Sequence, residues 1–466
     1  MEEKKNSNEE PSLPASLPRG ERGNGNFGNL RVALLHDFLL YPGGAERVLK
    51  VLSEMFPKAP IFTLLHDQEK MGEMFAGKDI RPSYLQKFPK FLKKHYQWLI
   101  LFFPVVPETF DLREYDLVIS SSGAWMKGIV TKMSTTHIAY LHSPMRFVWD
   151  YNERYFQEKG KSPSLLKRFV LNYLRMWDRL SADRPDFLIA NSVYTQKRIA
   201  KYYRRDSVVI YPPVDMEHGT WNTQQKIQDT CLPAYRTGGP DRQARYNNQR
   251  NLDEELSLRG CNHPKQSRVI LNPGSPRIFE YKNSRDDSRD IEAKSYKLGD
   301  YFLVVSRLSP YKKVDVVVEA FNKLGLPLVV IGQGEQEKYL KSIAKDNVQI
   351  LGWKDDATTE QYYKNATAFV FPAEDDFGMT AVEAMNFGVP VIAFRKGGVL
   401  ETVQEGVTGE FFDAQTPEVL ADGVRRFLDN EKNYDKEIIK KRGSEFSRER
   451  FVDDMRKFID DVVEKK

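Results

Sequence analysis

Apolar positions in this chain gather into short dense runs separated by amphipathic stretches, and the alternation occurs twice. Runs at 30–36, 117–121, 137–141, 187–190 and 208–210 are rich in Leu, Val and Ile and bounded by polar or glycine positions. They are too short for helices and almost continuously apolar, as expected of strands buried on both faces. Between them, 45–55, 164–184 and 194–203 place apolar residues at helical spacing. The pattern restarts at 301, with strands predicted at 301–306, 328–331, 348–351, 368–371 and 389–393. Helices are predicted at 314–324 and 380–387, with further helices to the C-terminus, including 447–463. Such alternation predicts an α/β chain with two doubly wound parallel sheets in tandem, whose strand ends face a central cleft.

Two segments fall outside the alternation. Residues 1–29 are rich in Glu, Asn, Ser, Pro and Gly, and read as a disordered tail without the apolar centre of a signal peptide. Residues 216–297 are polar with no sustained period, apart from a short helix at 252–258 and a short strand at 269–271, and read as an inserted, disordered segment. The expected domains are therefore 30–215 and 298–445, with 446–466 as a terminal helix. A length of 466 residues suits two or three units of ~150 residues each.

Charge and cysteine usage narrow the partners. The 70 Lys and Arg are interleaved with 65 Asp and Glu, for a net charge of +5, which makes no case for nucleic acid. Cys231 and Cys261 form no disulfide framework or metal spacing, so a cytoplasmic, reducing location is expected. The longest apolar run, 98–106, contains Pro104 and is far below the ~20 residues of a spanning helix.

Four constellations carry candidate chemistry. In FPAEDDFGMTAVEAMNFGVPVIAF, Asp375 lies in a loop after a strand and Glu383 about two turns into the next helix, so both carboxylates can reach one pocket. The amides of Gly378, Met379 and Thr380, after Phe377, fall on the first turn, where unsatisfied donors attract phosphate. Carboxylates suit sugar or ribose hydroxyls and amides suit phosphate oxygens, a combination that a nucleotide sugar presents. In SRLSPYKKVD, Arg307 and Lys312 follow a strand and suit two phosphates, with Lys313 beside them. In HDFLLYPGGAE, Gly43 and Gly44 permit close backbone approach to a ligand at a helix start. In YLHSPMRFVWD, His142 follows a strand at the mouth of a sheet, with Arg146, Trp149 and Asp150 downstream. Each motif alone also has an ordinary structural reading: an acidic loop before a helix, a solvated basic loop, a connecting glycine turn, a histidine satisfied by backbone.

As a set these motifs resemble retaining glycosyltransferases of family 4, over most of 30–215 and 298–466, and within that family bacterial mannosyltransferase-like members. The resemblance implies the GT-B fold, two Rossmann-like domains with the C-terminal helix crossing back to the first. It assigns donor contacts to Gly43, Gly44, Arg307, Lys312, Asp375, Phe377, Gly378, Met379, Thr380 and Glu383. His142 would lie beside the donor sugar's anomeric centre, with Arg146, Trp149 and Asp150 on the acceptor side. His142, Arg307, Lys312, Asp375 and Glu383 would carry the chemistry. The sequence departs from the family in having Asp375 where the first acid of the pair is usually Glu, and in the long polar segment where the family has a short connection.

The expected activity is hexosyl transfer from a nucleotide-diphosphate sugar, GDP-mannose favoured over UDP-sugars, to a glycan or lipid-linked acceptor in cell-surface polysaccharide or glycolipid assembly. No Asp-x-Asp triad appears at a strand end near these motifs, so no metal or other cofactor is expected. The alternatives are a nucleotide-sugar-binding scaffold without turnover and a nucleotide-sugar epimerase of the same fold. Lys87, Lys90, Lys93, Lys94 and His95, interleaved with aromatic residues up to Phe103, either dock peripherally on an anionic membrane or pack as core with a solvated lysine face.

Overall fold

A computed structural model describes residues 30–89, 100–150, 165–214 and 301–464. The predicted tail at 1–29, the polar segment at 216–297 and residues 90–99 of the basic aromatic stretch lie outside the described residues. The chain divides into two compact units. One is drawn from Met1–Ala190, Arg198–Ile210 and Phe451–Lys466, the other from Asn191–Lys197 and Tyr211–Arg450.

The first unit is built on a seven-stranded parallel sheet. Its strands are β1 (Val32–Leu39), β2 (Ile61–His66), β3 (Ile80–Pro82), β4 (Leu117–Ser122), β5 (Thr136–Leu141), β6 (Phe187–Ala190) and β7 (Val208–Val209). Their order is β3-β2-β1-β4-β5-β6-β7, so the chain reverses direction across the sheet between β1 and β4. β1 runs three residues beyond the predicted end because Phe38 and Leu39 still pair with Leu65 and His66 of β2. β2 and β3 were not predicted. Thr63 and His66 dilute the apolar run of β2, and β3 is a three-residue edge strand ending in Pro82, a residue that edges tolerate.

Alternation along these strands separates two cores. Val32, Leu34, Leu117, Ile119, Ile138 and Tyr140 face one side, while Ala33, Leu35 and Val118 face the other with Trp125, Met126 and Leu174. The first side is closed by two helices, Gly44–Met55 and Arg448–Val463 from Phe451 onward. Phe451, Met455, Ile459 and Val462 recur at helical spacing and are buried in that core, and the Phe451 ring lies 5.8 Å from Tyr140.

The second unit holds a six-stranded parallel sheet: β8 (Phe302–Val305), β9 (Leu328–Ile331), β10 (Val348–Ile350), β11 (Ala368–Phe371), β12 (Val391–Phe394) and β13 (Gly409–Phe412). The order β10-β9-β8-β11-β12-β13 reverses between β8 and β11. β13 is a correction to the expectation of helices alone after β12. Its first residue has no side chain for a steric reason, since a Cβ at Gly409 would fall 1.9 Å from the Val391 carbonyl oxygen. No described helix is long and apolar enough to cross a membrane.

Two outcomes test this packing. Met455→Ala is expected to destabilise the first unit by ~2–5 kcal/mol, the cost of emptying a closed core site. Urea unfolding followed by the fluorescence of Trp125 and Trp177 would show it as a lower midpoint, and an unchanged midpoint would contradict the place of the C-terminal helix in this core. The second concerns His137 on β5, whose pKa burial lowers from 6.5 to about 3. Between those values the unfolded chain binds the proton and the folded chain does not, so stability is full above pH 6.5 and falls as pH drops towards 3. His137→Asn should flatten that acid slope by up to about one proton per molecule.

Candidate functional site

In the second unit the polar residues follow the strands that flank the reversal. Arg307 comes two residues after β8 and is exposed. Its segment is clasped by the turn after β9, with Ser306 N–H donating to the Ile331 carbonyl at 3.0 Å and Leu308 N–H to the Gln333 carbonyl at 3.0 Å. The clasp demands a bare backbone at Gly332, which has φ of 142° and where a Cβ would lie 1.8 Å from the Ser306 carbonyl oxygen. One turn of 3-10 helix, Pro310–Lys312, then brings the Lys312 ammonium into contact with the Asp375 carboxylate. Two residues proposed from separate motifs thus meet, 63 positions apart.

The acidic loop after β11 is set by what lies beneath it. Asp375 bridges to Gly397, and Gly398 N–H donates to the Asp375 carbonyl at 2.9 Å. A Cβ at Gly398 would lie 2.1 Å from the Asp376 carbonyl oxygen. This glycine pair was not assigned from the sequence. The signal was a second Gly-Gly after a strand, like Gly43-Gly44 after β1. Glu374 turns elsewhere and accepts the Tyr194 hydroxyl at 2.9 Å, which leaves Asp375 as the acid beside Lys312.

Helix Met379–Asn386 starts from Gly378, whose φ of 87° is left-handed. A Cβ there would also press to 3.1 Å from the Phe371 ring. Phe377 is buried with Tyr211 and Phe446 at ring distances of 5.7 and 5.5 Å, so its side chain anchors the turn in an aromatic cluster. Met379 and Thr380 occupy the first turn, where a helix leaves its N–H groups without intrahelical partners. Glu383, only 4% exposed, accepts the Tyr363 hydroxyl at 3.0 Å. Tyr363 is held by stacking on Phe387 at 5.7 Å, and nothing in the sequence pattern pointed to it.

In the first unit His142 stands one residue past β5. Its Nε2 lies 2.8 Å from Ser121 Oγ, and its pKa is pushed down to about 3 by burial first and then by neighbouring His36. The ring is therefore neutral across the physiological range. Gly43 is the N-cap of helix Gly44–Met55. Asp37 receives five hydrogen bonds of 2.8–2.9 Å, from the Ser122 hydroxyl and the N–H groups of Gly123, Ala124, Trp125 and Met126, and so fixes the loop after β4. Neither Asp37 nor Ser121 was assigned from the sequence. Asp37 lay inside a motif already singled out, while Ser121 stood in an unremarkable Ser-Ser-Ser.

The remaining residues of the His142 motif form a brace. Trp149 Nε1 donates to Asp178 at 2.7 Å, and the same buried carboxylate takes the Lys127 ammonium at 2.5 Å and the Tyr203 hydroxyl at 2.9 Å. Asp150 pairs with Arg198 and accepts the Tyr202 hydroxyl at 2.5 Å, while Trp149 stacks on Tyr202 at 4.7 Å. Arg146 opens the short helix Arg146–Trp149 and is half-buried.

Comparison with known proteins covers both units. The family described as Glycosyltransferase Family 4 matches residues 42–218, and Glycosyl transferases group 1 matches residues 286–444. An uncharacterised glycosyltransferase of Methanocaldococcus jannaschii is 30% identical over 191 residues, 38% of this chain and 49% of that protein. The GDP-mannose-dependent alpha-(1-6)-phosphatidylinositol monomannoside mannosyltransferase of Mycobacterium tuberculosis is 32% identical over 155 residues, 29% of this chain and 40% of that protein. The chain thus spans about half the length of the curated relatives it matches or less. Among solved structures, Anabaena HepE in complex with UDP-glucose superposes with a TM-score of 0.55 at 17% identity, over 93% of this chain and 100% of that one, a likeness of fold. With two parallel sheets of reversing order, the polar loops at their strand ends and both family matches in place, the chain belongs to the family 4 glycosyltransferases and has the α/β GT-B fold.

Proposed function

We propose that the chain transfers a hexose, with mannose from GDP-mannose favoured, from a nucleotide-diphosphate sugar to a glycan or lipid-linked acceptor, with retention of anomeric configuration. The observation that carries the reading is the contact of Lys312 with Asp375 beside the reversal of the second sheet, where open α/β sheets bind ligands. In the free protein each group holds the other in place. With donor bound, Lys312 and Arg307 would turn to the diphosphate and Asp375 to sugar hydroxyls, while Glu383 takes ribose hydroxyls and the first-turn amides of Gly378, Met379 and Thr380 take phosphate oxygens. As the bond from the anomeric carbon to the diphosphate breaks, its electron pair stays with the diphosphate, where the two cations stabilise the charge; the acceptor oxygen bonds to that carbon and its proton passes to the departing phosphate oxygen. Two side-chain cations within reach of the diphosphate support a metal-independent reaction. His142 and Arg146 of the first unit are proposed to serve the acceptor side and the reacting sugar, Trp149 and Asp150 to shape that side through the brace they form, and Gly43 and Gly44 to approach the donor. The shared segment with a mannosyltransferase that acts on a phosphatidylinositol monomannoside supports a mannosyl donor and a lipid-linked acceptor.

A peripheral place on an anionic membrane surface, on the cytoplasmic side, is part of the same proposal. Leu101, Phe102 and Val105 are exposed on one turn of the first unit. Leu165, Leu166, Phe169, Met176 and Leu180 are exposed along helix Leu165–Ser181. Phe103 and Trp177 both pack on Trp125, at 5.1 and 5.3 Å, which sets the turn beside the helix. An exposed apolar surface of this extent, on a helix that also carries Lys167, Arg168, Arg175 and Arg179, suits an acidic bilayer.

A thermal-shift screen against GDP-, UDP- and ADP-sugars, followed by nucleotide release with a lipid-phosphate acceptor panel, tests the donor reading. Selective stabilisation by GDP-mannose and acceptor-dependent GDP release are expected, undiminished by EDTA. Lys312→Ala should lower kcat by ~10²–10³-fold and Glu383→Ala should abolish the thermal shift. Stabilisation without release would favour a binding protein without turnover, and release without acceptor an epimerase. Flotation with phosphatidylglycerol vesicles tests the surface: Phe102→Asp with Phe169→Asp should cut binding at least ~10-fold, and binding that is indifferent to these changes would refute it.

A further inference from the structure

His36 of β1 and Ser121 of β4 are direct partners across the parallel pair, on the sheet face that carries Leu34 and Ile119. Their side chains start a hydrogen-bonded line. His36 Nδ1 lies 3.3 Å from Ser121 Oγ, which lies 2.8 Å from His142 Nε2. At the other end His36 Nε2 lies 3.4 Å from Glu46 Oε1, on the first turn of helix Gly44–Met55. His36 is 3% exposed and Ser121 fully buried. The backbone makes room for the carboxylate, because a Cβ at Gly43 would stand 2.8 Å from Glu46 Oε2.

With Glu46 as a carboxylate and a single proton on the His36 ring, the hydrogen bonds along this line can be ordered in one way. A carboxylate only accepts, so His36 donates from Nε2. With that proton on Nε2, His36 has a lone pair at Nδ1 and accepts the Ser121 hydroxyl proton. The Ser121 oxygen in turn accepts N–H from His142 Nε2, and His142 is left with its lone pair on Nδ1. We propose that Glu46 is a positioning residue that, through His36 and Ser121, fixes His142 as the imidazole protonated at Nε2 with an Nδ1 lone pair for a substrate hydroxyl. This rests on the reading that His142 adjoins the reacting sugar. It deepens that reading by giving the site a polarity: His142 accepts an O–H and offers no second proton. The low pKa of His142, set mainly by burial, is consistent with a ring that works only as a neutral acceptor. A glutamate that merely caps the helix would influence stability and leave the imidazole tautomer alone.

The test uses full-length protein labelled with ¹⁵N-histidine, with the His142 signals assigned by their loss in His142→Gln. Wild type is expected to show His142 protonated at Nε2 and unprotonated at Nδ1 at neutral pH. Glu46→Ala and Ser121→Ala should each shift that ring to a tautomer mixture. Each should also lower kcat by ~10–100-fold with the donor KM unchanged. His142 protonated at Nδ1 in wild type, or a tautomer untouched by both substitutions, would overturn the proposal, and the wild-type spectrum alone decides the first point. If His142→Ala retained full transfer while the tautomer was as expected, the reaction role of His142 would fail and the assignment of Glu46 would stand.

Discussion

Parallel register is the constraint on which the candidate sites depend. Every strand in each sheet ends at the same edge, so the last residues of β1 and β4 and those just past β5 share one rim in the first unit, and those past β8 and β11 share one in the second. Within the first rim, register assigns partners individually. His36 stands opposite Ser121, and because side chains alternate, Asp37 and Ser122 meet on the other face. A slip of one residue would send the histidine pair to one side and its serine to the other. Hydrogen bonds such as that of Ser121 with His142 at 2.8 Å thus rest on backbone ladders built from Val, Leu and Ile.

Buried carboxylates then harden what the ladders place. Asp37 collects four backbone N–H groups and a hydroxyl, and Asp178 an ammonium, an indole N–H and a phenol. A charge taken out of water is costly unless its lone pairs are all satisfied, so such groups tolerate few alternative geometries. Asp37 fixes the loop that follows the strand bearing Ser121. Asp178 and Asp150 fix the segment that follows His142. In the second unit the same task falls to bare backbone, where Gly332 and Gly398 let carbonyl oxygens approach to distances that no side chain permits.

Motifs were legible in the sequence where several unusual residues occur close together. Lys312 and Asp375 came from different strings, yet both follow strands that flank the reversal of the second sheet, and they are found in contact. Elements whose identity depends on neighbours were not legible. β3 and β13 are three and four residues long, and what makes them strands is an adjacent strand offering hydrogen bonds. Tyr363 and Ser121 were equally silent, since a tyrosine or serine acquires a role only from the group it faces.

Hydrophobic period and turn chemistry are local properties, and they were enough to read the strand and helix alternation, the two parallel sheets apart from β2, β3 and β13, and the strings that carry the charged and glycine-rich loops. Packing set Glu374 against Tyr194 and Asp375 against Lys312, and drew Trp149 and Asp150 into a brace. It also decided that Glu46, His36, Ser121 and His142 form one line. The physical reason is that a hydrogen bond depends on distance and direction between groups far apart in the chain, and those are fixed only once the strands have taken their register.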